Sequence, residues 1–276
     1  AMRIRLCSSR PRYLQAIYVP SMDVLIVAGD ASGDLHAASV VAQLRTLAPD
    51  ARFFGMGGPR LAAQNVELLF EMKELSVMGF SEVLPKLPRL FQVMDGIEAA
   101  VKARKPRVAL LVDVPDFNLR LTKRLKKLGI PVVYFIAPMA WAWREGRTKA
   151  LKELVHTLAC ILPFEEAFFR ERGVNATYVG NPTLEQLPED LGTAHFRAEL
   201  GLADAPTLAV LPGSRRGELR RLGAVLAEST KRIVDARPGT QVGIPVAPGL
   251  PPELVEAPFR DAGVTVLMGG GDGPGA

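Results

Sequence analysis

Short apolar, β-branched runs recur along this chain, and a stretch with helical spacing follows nearly every one. Asp23–Ala28 (DVLIVA) ends at Gly29, and Leu35–Leu47 then has helical periodicity. Phe53 and Phe54 lead into Gly55, Gly57 and Gly58. Leu84–Ala103 reads as a long amphipathic helix carrying Leu87, Leu90, Phe91, Met94 and Ile97. Arg107–Val112, Pro131–Ile136 and Leu158–Leu162 are further strands, interleaved with a basic helix at Leu119–Leu128 and a helix through Phe168 and Phe169. Tyr178 and Val179 begin a short strand that stops at Gly180-Asn181-Pro182. Continuous apolar runs of this length fit strands buried on both faces, so the pattern demands a parallel sheet covered by helices on each side.

After a stretch at 181–206 that reads as a linker with a short helix, the pattern restarts. Thr207–Leu211, Gln241–Val246 and Val264–Met268 are strands, and Glu218–Ala236 and Pro251–Ala262 are helices. The expected fold is therefore α/β: one complete Rossmann-like domain over 22–180 and an incomplete second Rossmann-like domain over 207–268. Residues 1–21 read as a disordered extension, and the Gly-rich stretch 269–276 as a disordered tail, since neither can bury much apolar surface. A glycine-rich end just after an apolar strand raises the expectation of a truncated second domain.

Composition narrows the function classes. Of 276 residues, 48% are hydrophobic and 23% charged, as in ordinary globular proteins. Two cysteines cannot build a disulfide framework. The formal net charge of +5 suggests nucleic acid at first sight. However, residues 1–21 hold Arg3, Arg5, Arg10 and Arg12 and no acid, which leaves 30 basic against 29 acidic side chains elsewhere. The body is nearly neutral, and no nucleic-acid partner is expected. The N-terminal stretch has the acid-free, Arg- and Ser-containing composition of a transit-type peptide, or is simply an upstream extension before Met22. No apolar run reaches the roughly 18–20 residues that span a bilayer.

In open parallel α/β sheets, ligands sit beyond the carboxyl ends of the strands. Four segments lie there. Gly29-Asp30-Ala31-Ser32-Gly33-Asp34 is neither a dinucleotide fingerprint nor a P-loop. Its two carboxylates would repel a pyrophosphate and suit sugar hydroxyls, or Ser32 and the acids serve only the next helix start. Asp113-Val114-Pro115-Asp116-Phe117-Asn118 puts an acid, Asp113, where a general base belongs. Asp116 and Asn118 are substrate contacts or helix caps. Ala137-Pro138-Met139-Ala140-Trp141-Ala142-Trp143-Arg144 offers an aromatic face for a sugar ring and a guanidinium for phosphate. Leu211-Pro212-Gly213-Ser214-Arg215-Arg216-Gly217-Glu218 is a strand-to-helix turn fit to cradle a diphosphate. The histidines His36, His156 and His195 show no metal-ligand spacing, and no metal or cofactor is expected. The basic cluster Arg120, Lys123, Arg124, Lys126 and Lys127 is a solvated helix face or a contact for anionic headgroups.

Taken in order, these segments resemble the lipid-A-disaccharide synthase family. The resemblance is carried by Gly29–His36, Gly55–Pro59, Val77–Leu84, Asp113–Asn118, Trp141–Arg144, Leu162–Glu165, Val179–Pro182 and Leu211–Arg215, and runs from Met22 to about Met268. It implies a GT-B glycosyltransferase that joins UDP-2,3-diacylglucosamine to 2,3-diacylglucosamine 1-phosphate through a β-1,6 bond and releases UDP. The reaction it implies is inverting and metal-independent, at the cytoplasmic side of the inner membrane. By the same resemblance Asp113 is the essential acid and Arg215 the essential arginine. Ser214, Arg215 and Glu218 would hold the nucleotide sugar, and Asp30, Ser32, Asp34, Asp116, Asn118, Trp143 and Arg144 the acceptor. The implied partners are the two acyl sugars, the inner-membrane surface and a second copy of the chain. Helix Leu84–Ala103 would face the membrane or pack on the sheet.

The chain departs from the family pattern at Asp30, where Glu is usual, at Ala137 and Met139, where serines are usual, and at Asn181, where His is usual. It also ends before the family's Gly/Ser-Gly-Thr donor turn. An inactive fragment that only binds acyl sugar or membrane is the alternative. An NAD-dependent oxidoreductase on a similar fold is disfavoured by the missing G-x-G-x-x-G.

Overall fold

The run Asp23–Ala28 forms β1, and all six of its residues are buried. Alternate side chains point to opposite faces, so β1 feeds two cores. Leu25 and Val27 join one with Phe54, Met56, Leu111, Tyr134 and Leu158. Val24, Ile26 and Ala28 join the other with Ala37, Val41, Phe53, Leu110 and Val112. The computed structural model describes residues 22–76, 83–185, 197, 201–247 and 250–270, which divide into two compact units at Glu185/Gln186. The N-terminal extension 1–21, the 77–82 part of one motif, His195 and the tail beyond 270 lie outside the described residues.

In the first unit, β1 is followed by α1 (Ala31–Leu47), β2 (Arg52–Gly57), α2 (Pro59–Ala63), β3 (Glu67–Glu71), α3 (Lys73–Ser76) and α4 (Val83–Arg104). Next come β4 (Val108–Val112), α5 (Pro115–Lys127), β5 (Val132–Phe135), α6 (Arg147–Leu154), β6 (Thr157–Cys160), α7 (Pro163–Glu171), β7 (Ala176–Tyr178) and α8 (Pro182–Glu185). The strands form one parallel sheet in the order β3-β2-β1-β4-β5-β6-β7. The order reverses direction between β1 and β4, the switch point where α/β sheets bind ligands.

Strand β3 departs from the expectation. Its sequence ELLFE carries acids at both ends, and as an edge strand it is only half-buried, so it lacks the apolar run of an inner strand. Glu67 at its start pairs with Arg104 at the end of α4. Of the two expectations for α4, packing on the sheet holds for the described part of its apolar face. Val93, Met94, Ile97 and Val101 are buried against the sheet, whereas Phe91 is exposed.

The second unit holds β8 (Thr207–Ala209), α9 (Arg216–Ala236), β9 (Gln241–Val246), α10 (Pro252–Asp261) and β10 (Leu267–Gly270). The strands pair in parallel, in the order β10-β9-β8. Val242, Ile244 and Val246 pack with Leu219, Ala227, Val255 and Phe259. The last strand is displaced from the expected Val264–Met268. Gly269 and Gly270, read as the start of the tail, instead pair with Pro245 and Val246, since a strand on a parallel ladder is held by its backbone and needs no side chain.

Two features of the first motifs are structural. Gly55, on β2, has φ 149°, and a Cβ there would lie 1.9 Å from the Ile26 carbonyl oxygen. Asp34, 1% exposed, accepts the backbone N–H groups of Gly58 (2.7 Å), Arg60 (3.0 Å) and Leu61 (3.2 Å). The expectation that Asp34 meets sugar hydroxyls is corrected: its carboxylate caps α2 and ties α1 to the turn after β2. Replacing Asp34 by Ala strands these three donors, two of them buried. The expected cost is about 2–4 kcal/mol, from the penalty for unsatisfied buried donors. It is read as a lowered urea midpoint with an unchanged slope, and an unchanged midpoint would contradict this role.

Candidate functional site

The backbone leaves the usual regions where the strands end. Asp113 and Val114, between β4 and α5, have φ of 49° and 41°. Ile136, directly after β5, has φ 67°. Left-handed backbone costs a β-branched residue about 1–2 kcal/mol, and such strain persists only where the surroundings enforce it. Here they do. The Asp113 N–H still pairs with the Phe135 carbonyl (3.0 Å). The Asp113 carbonyl accepts the Tyr134 hydroxyl at 2.6 Å and the Asn118 amide at 2.7 Å. The same Asn118 amide also donates to the Val112 carbonyl (3.1 Å).

This turn lifts Asp113 out of the line of β4 at the carboxyl edge of the sheet, where the residue is half-buried. Asn118 does not face a substrate. It is fully buried, and its amide is committed to the two carbonyls, so its role is to hold the turn. Its Oδ1 and His36 Nδ1 have no hydrogen-bond partner. Tyr134 was missed by sequence reading, because one hydroxyl inside VVYF gives no signal.

The segment beyond β5 divides its two tryptophans between two tasks. Trp141 donates its indole N–H to Glu165 Oε1 (3.1 Å) and stands edge-on to Phe164 (5.1 Å). Glu165 is buried, and its other oxygen accepts the Leu162 N–H at the start of α7. Trp141 is thus an anchor. Trp143 is 55% exposed and carries two guanidinium groups over its ring, Arg144 at 5.0 Å and Arg147 at 5.7 Å. Both arginines meet Asp116 Oδ1, Arg147 at 2.6 Å and Arg144 at 3.3 Å. Asp116, Trp143 and Arg144 therefore form one cluster, which Arg147 joins.

Asp30 is the N-cap of α1. It accepts the Gly33 N–H (2.8 Å) and the Ser32 hydroxyl (3.1 Å). The cap expected of Ser32 is therefore Asp30's, and Ser32 lies within the first turn, exposed. His36, buried nearby, has its pKa lowered by burial, against an opposing pull from Asp30. Cys160 is pushed up to about 12 by burial, with Glu165 and Glu166 adding to the effect, so it is no thiolate nucleophile at neutral pH.

In the second unit, Gly213 has φ 107°, and Arg215 is the N-cap of α9. The N–H groups of Ser214 (2.9 Å) and Arg215 (3.2 Å) both reach Glu218 Oε2, and Arg215 Nη1 reaches Oε1 at 3.2 Å. Burial raises the Glu218 pKa, but these donors outweigh it and hold the carboxyl below its ordinary value. Ser214, Arg215 and Glu218 come together as expected. The anion position at the helix start is filled by the chain's own carboxylate.

The family model described as lipid-A-disaccharide synthetase matches residues 24–260. The chain belongs to this family. It is 56% identical over 252 residues to the lipid-A-disaccharide synthase of Myxococcus xanthus, covering 91% of this chain and 66% of that one. It is 48% identical over 237 residues to that of Anaeromyxobacter sp. strain K, covering 85% and 62%. The chain thus spans less than two thirds of the length of either relative. In fold it is similar to the UDP-GlcNAc 2-epimerase of Neisseria meningitidis bound to UDP-GlcNAc (TM-score 0.62, 13% identity, 90% of this chain and 72% of that one). It is also similar to the UDP-GlcNAc 2-epimerase of Methanocaldococcus jannaschii (TM-score 0.56, 13% identity, 91% and 74%). These neighbours bear out the GT-B type α/β fold.

The Tyr134 hydroxyl titrates well above its ordinary value, first because burial disfavours the phenolate and then because Asp113 lies close. A phenol kept neutral in the fold stabilises it at pH below about 10, and that contribution is lost as pH rises beyond the unfolded-state value. Native wild type and Tyr134→Phe should therefore give the same tyrosinate absorbance titration up to the alkaline unfolding transition. Tyr134→Phe should also lower stability by about 1 kcal/mol for the lost hydrogen bond. A reversible tyrosinate signal near pH 10 that disappears in Tyr134→Phe would contradict this.

Proposed function

We propose that this chain carries the acceptor side, and part of the donor side, of an inverting glycosyltransferase of lipid A biosynthesis. The reaction is attack of the 6-hydroxyl of 2,3-diacylglucosamine 1-phosphate on C1 of UDP-2,3-diacylglucosamine, giving the disaccharide 1-phosphate and UDP. Family membership supports the reaction class. The observation that carries the assignment of roles is the enforced left-handed turn at Asp113–Val114, which holds an acid at the carboxyl edge of the sheet beside the switch point.

Asp113 is the general base. It takes the proton of the acceptor 6-hydroxyl as that oxygen bonds to C1 and the C1–O bond to UDP breaks. Arg215 offsets the charge that builds on the departing diphosphate. The diphosphate takes over the Ser214 and Arg215 N–H groups that now hold Glu218, and Glu218 moves aside. Trp143, Arg144 and Asp116 engage the acceptor, with Asp30 and Ser32 at the neighbouring strand end. Both substrates carry acyl chains, so the reaction belongs at the inner face of the inner membrane. No helix among the described residues is long and apolar enough to cross a membrane.

UDP release from the two acyl sugars tests the reading. Asp113→Asn should reduce the rate at least about 100-fold, the usual contribution of a general base, while UDP binding stays within twofold. Arg215→Ala should weaken UDP binding about tenfold. Turnover unaffected by Asp113→Asn would overturn the role of Asp113. A folded chain that releases no UDP would contradict the catalytic reading and leave acyl-sugar binding as the alternative.

A further inference from the structure

The cluster beyond β5 has a property that none of its members has singly. Asp116 comes from the first turn of α5, Arg144 from the loop after β5, and Arg147 from the first turn of α6. All three meet at one carboxylate oxygen. The Asp116 side chain is 78% exposed, whereas the Arg147 side chain is only 13% exposed. Arg144 reaches the position on a left-handed backbone, φ 61°. Two guanidiniums on one carboxylate leave a net charge of +1, and most of their ten N–H donors remain unused by that bond. Both lie over the Trp143 ring, a contact that immobilises a guanidinium without consuming its N–H edge.

We propose that Arg147 and Arg144, held on Asp116 over Trp143, anchor the phosphomonoester of a phosphorylated sugar, with Arg147 the principal cation. A phosphomonoester brings up to two negative charges and three acceptor oxygens, a better match for two forks than a single carboxylate. It takes the outward N–H groups of both arginines while Asp116 keeps them paired. The exposed part of the Trp143 face then receives the sugar ring. A bare ion pair on the surface would need neither the aromatic shelf nor the burial of Arg147. The proposal rests on the reading of the first unit as the acceptor side and deepens it, since it assigns the acceptor's phosphate to named side chains. It also adds Arg147, which sequence reading passed over. Asp116 follows Asp113 along the same β4–α5 turn, which brings the anchor and the proposed general base to the same strand end.

The test is binding of glucosamine 1-phosphate, glucosamine and inorganic phosphate to the chain, followed by tryptophan fluorescence. Glucosamine 1-phosphate should bind and perturb the emission, and Trp143→Phe should remove the perturbation. Inorganic phosphate should bind at least several-fold more weakly, and glucosamine should not saturate. Arg147→Gln should weaken sugar-phosphate binding about tenfold or more. Arg144→Gln, at a more exposed side chain, gives a second reading should Arg147→Gln not fold. Unchanged affinity in a folded Arg147→Gln or Arg144→Gln chain would overturn the proposal. Equal affinity for glucosamine would overturn the phosphate assignment, and equal affinity for inorganic phosphate the sugar assignment. Binding that behaves as expected in a chain that releases no UDP would count against the proposed reaction and leave the anchor standing. UDP release with unaltered sugar-phosphate binding in the variants would count against the anchor alone.

Discussion

The carbonyl of Asp113 is held from two sides, by the Tyr134 hydroxyl and by the Asn118 amide. The chemistry proposed for the chain depends on that pair of bonds. They brace the turn in which Asp113 and Val114 are left-handed. The strain is sustained because the donors are rigid. Tyr134 is fully buried in the core of the sheet, and Asn118 is fully buried on α5. The large core beneath β1, β4 and β5 therefore positions a single acid.

Carboxylates elsewhere hold the backbone in a similar way, by accepting N–H groups. Buried Asp34 does so at α2, and buried Glu165 at α7 and at the Trp141 indole. Asp30 caps α1, and Glu218 closes the turn before α9. The two acids proposed to meet ligands at the β4 end, Asp113 and Asp116, are half-buried and exposed respectively. A carboxylate that accepts several backbone N–H groups gains charge-assisted bonds and is committed to them. Burial thus separates Asp34 from Asp113, although both come soon after an apolar strand.

Much of the fold was legible because buried parallel strands leave an unambiguous mark. DVLIVA, RVALLV and PVVYFI could be placed from composition and length alone. Strand β3 was not, since ELLFE is an edge strand with acids at both ends, and α6 was not, since RTKALKEL is short and mostly polar. Of the candidate site, Asp113, Asp116, Trp143 and Arg144 stand out among the residues just beyond each strand. The roles of Asp34 and Asn118 could not, because an acid or amide after a strand looks the same whether it meets a ligand or the backbone. Burial decides between them, and burial is a property of the fold. Tyr134 and Arg147 escaped for a related reason: their value lies in what they touch on neighbouring elements.

If the Tyr134–Asn118 lock serves to present Asp113, Asn118→Ser is its most direct test. Serine keeps a small polar side chain at the position but cannot span both carbonyls. With substrates saturating, the rate of UDP release should fall at least about tenfold with KM within about twofold, the pattern of an interaction needed in the transition state. An unchanged rate in a chain that is merely less stable would contradict the presenting role of the lock.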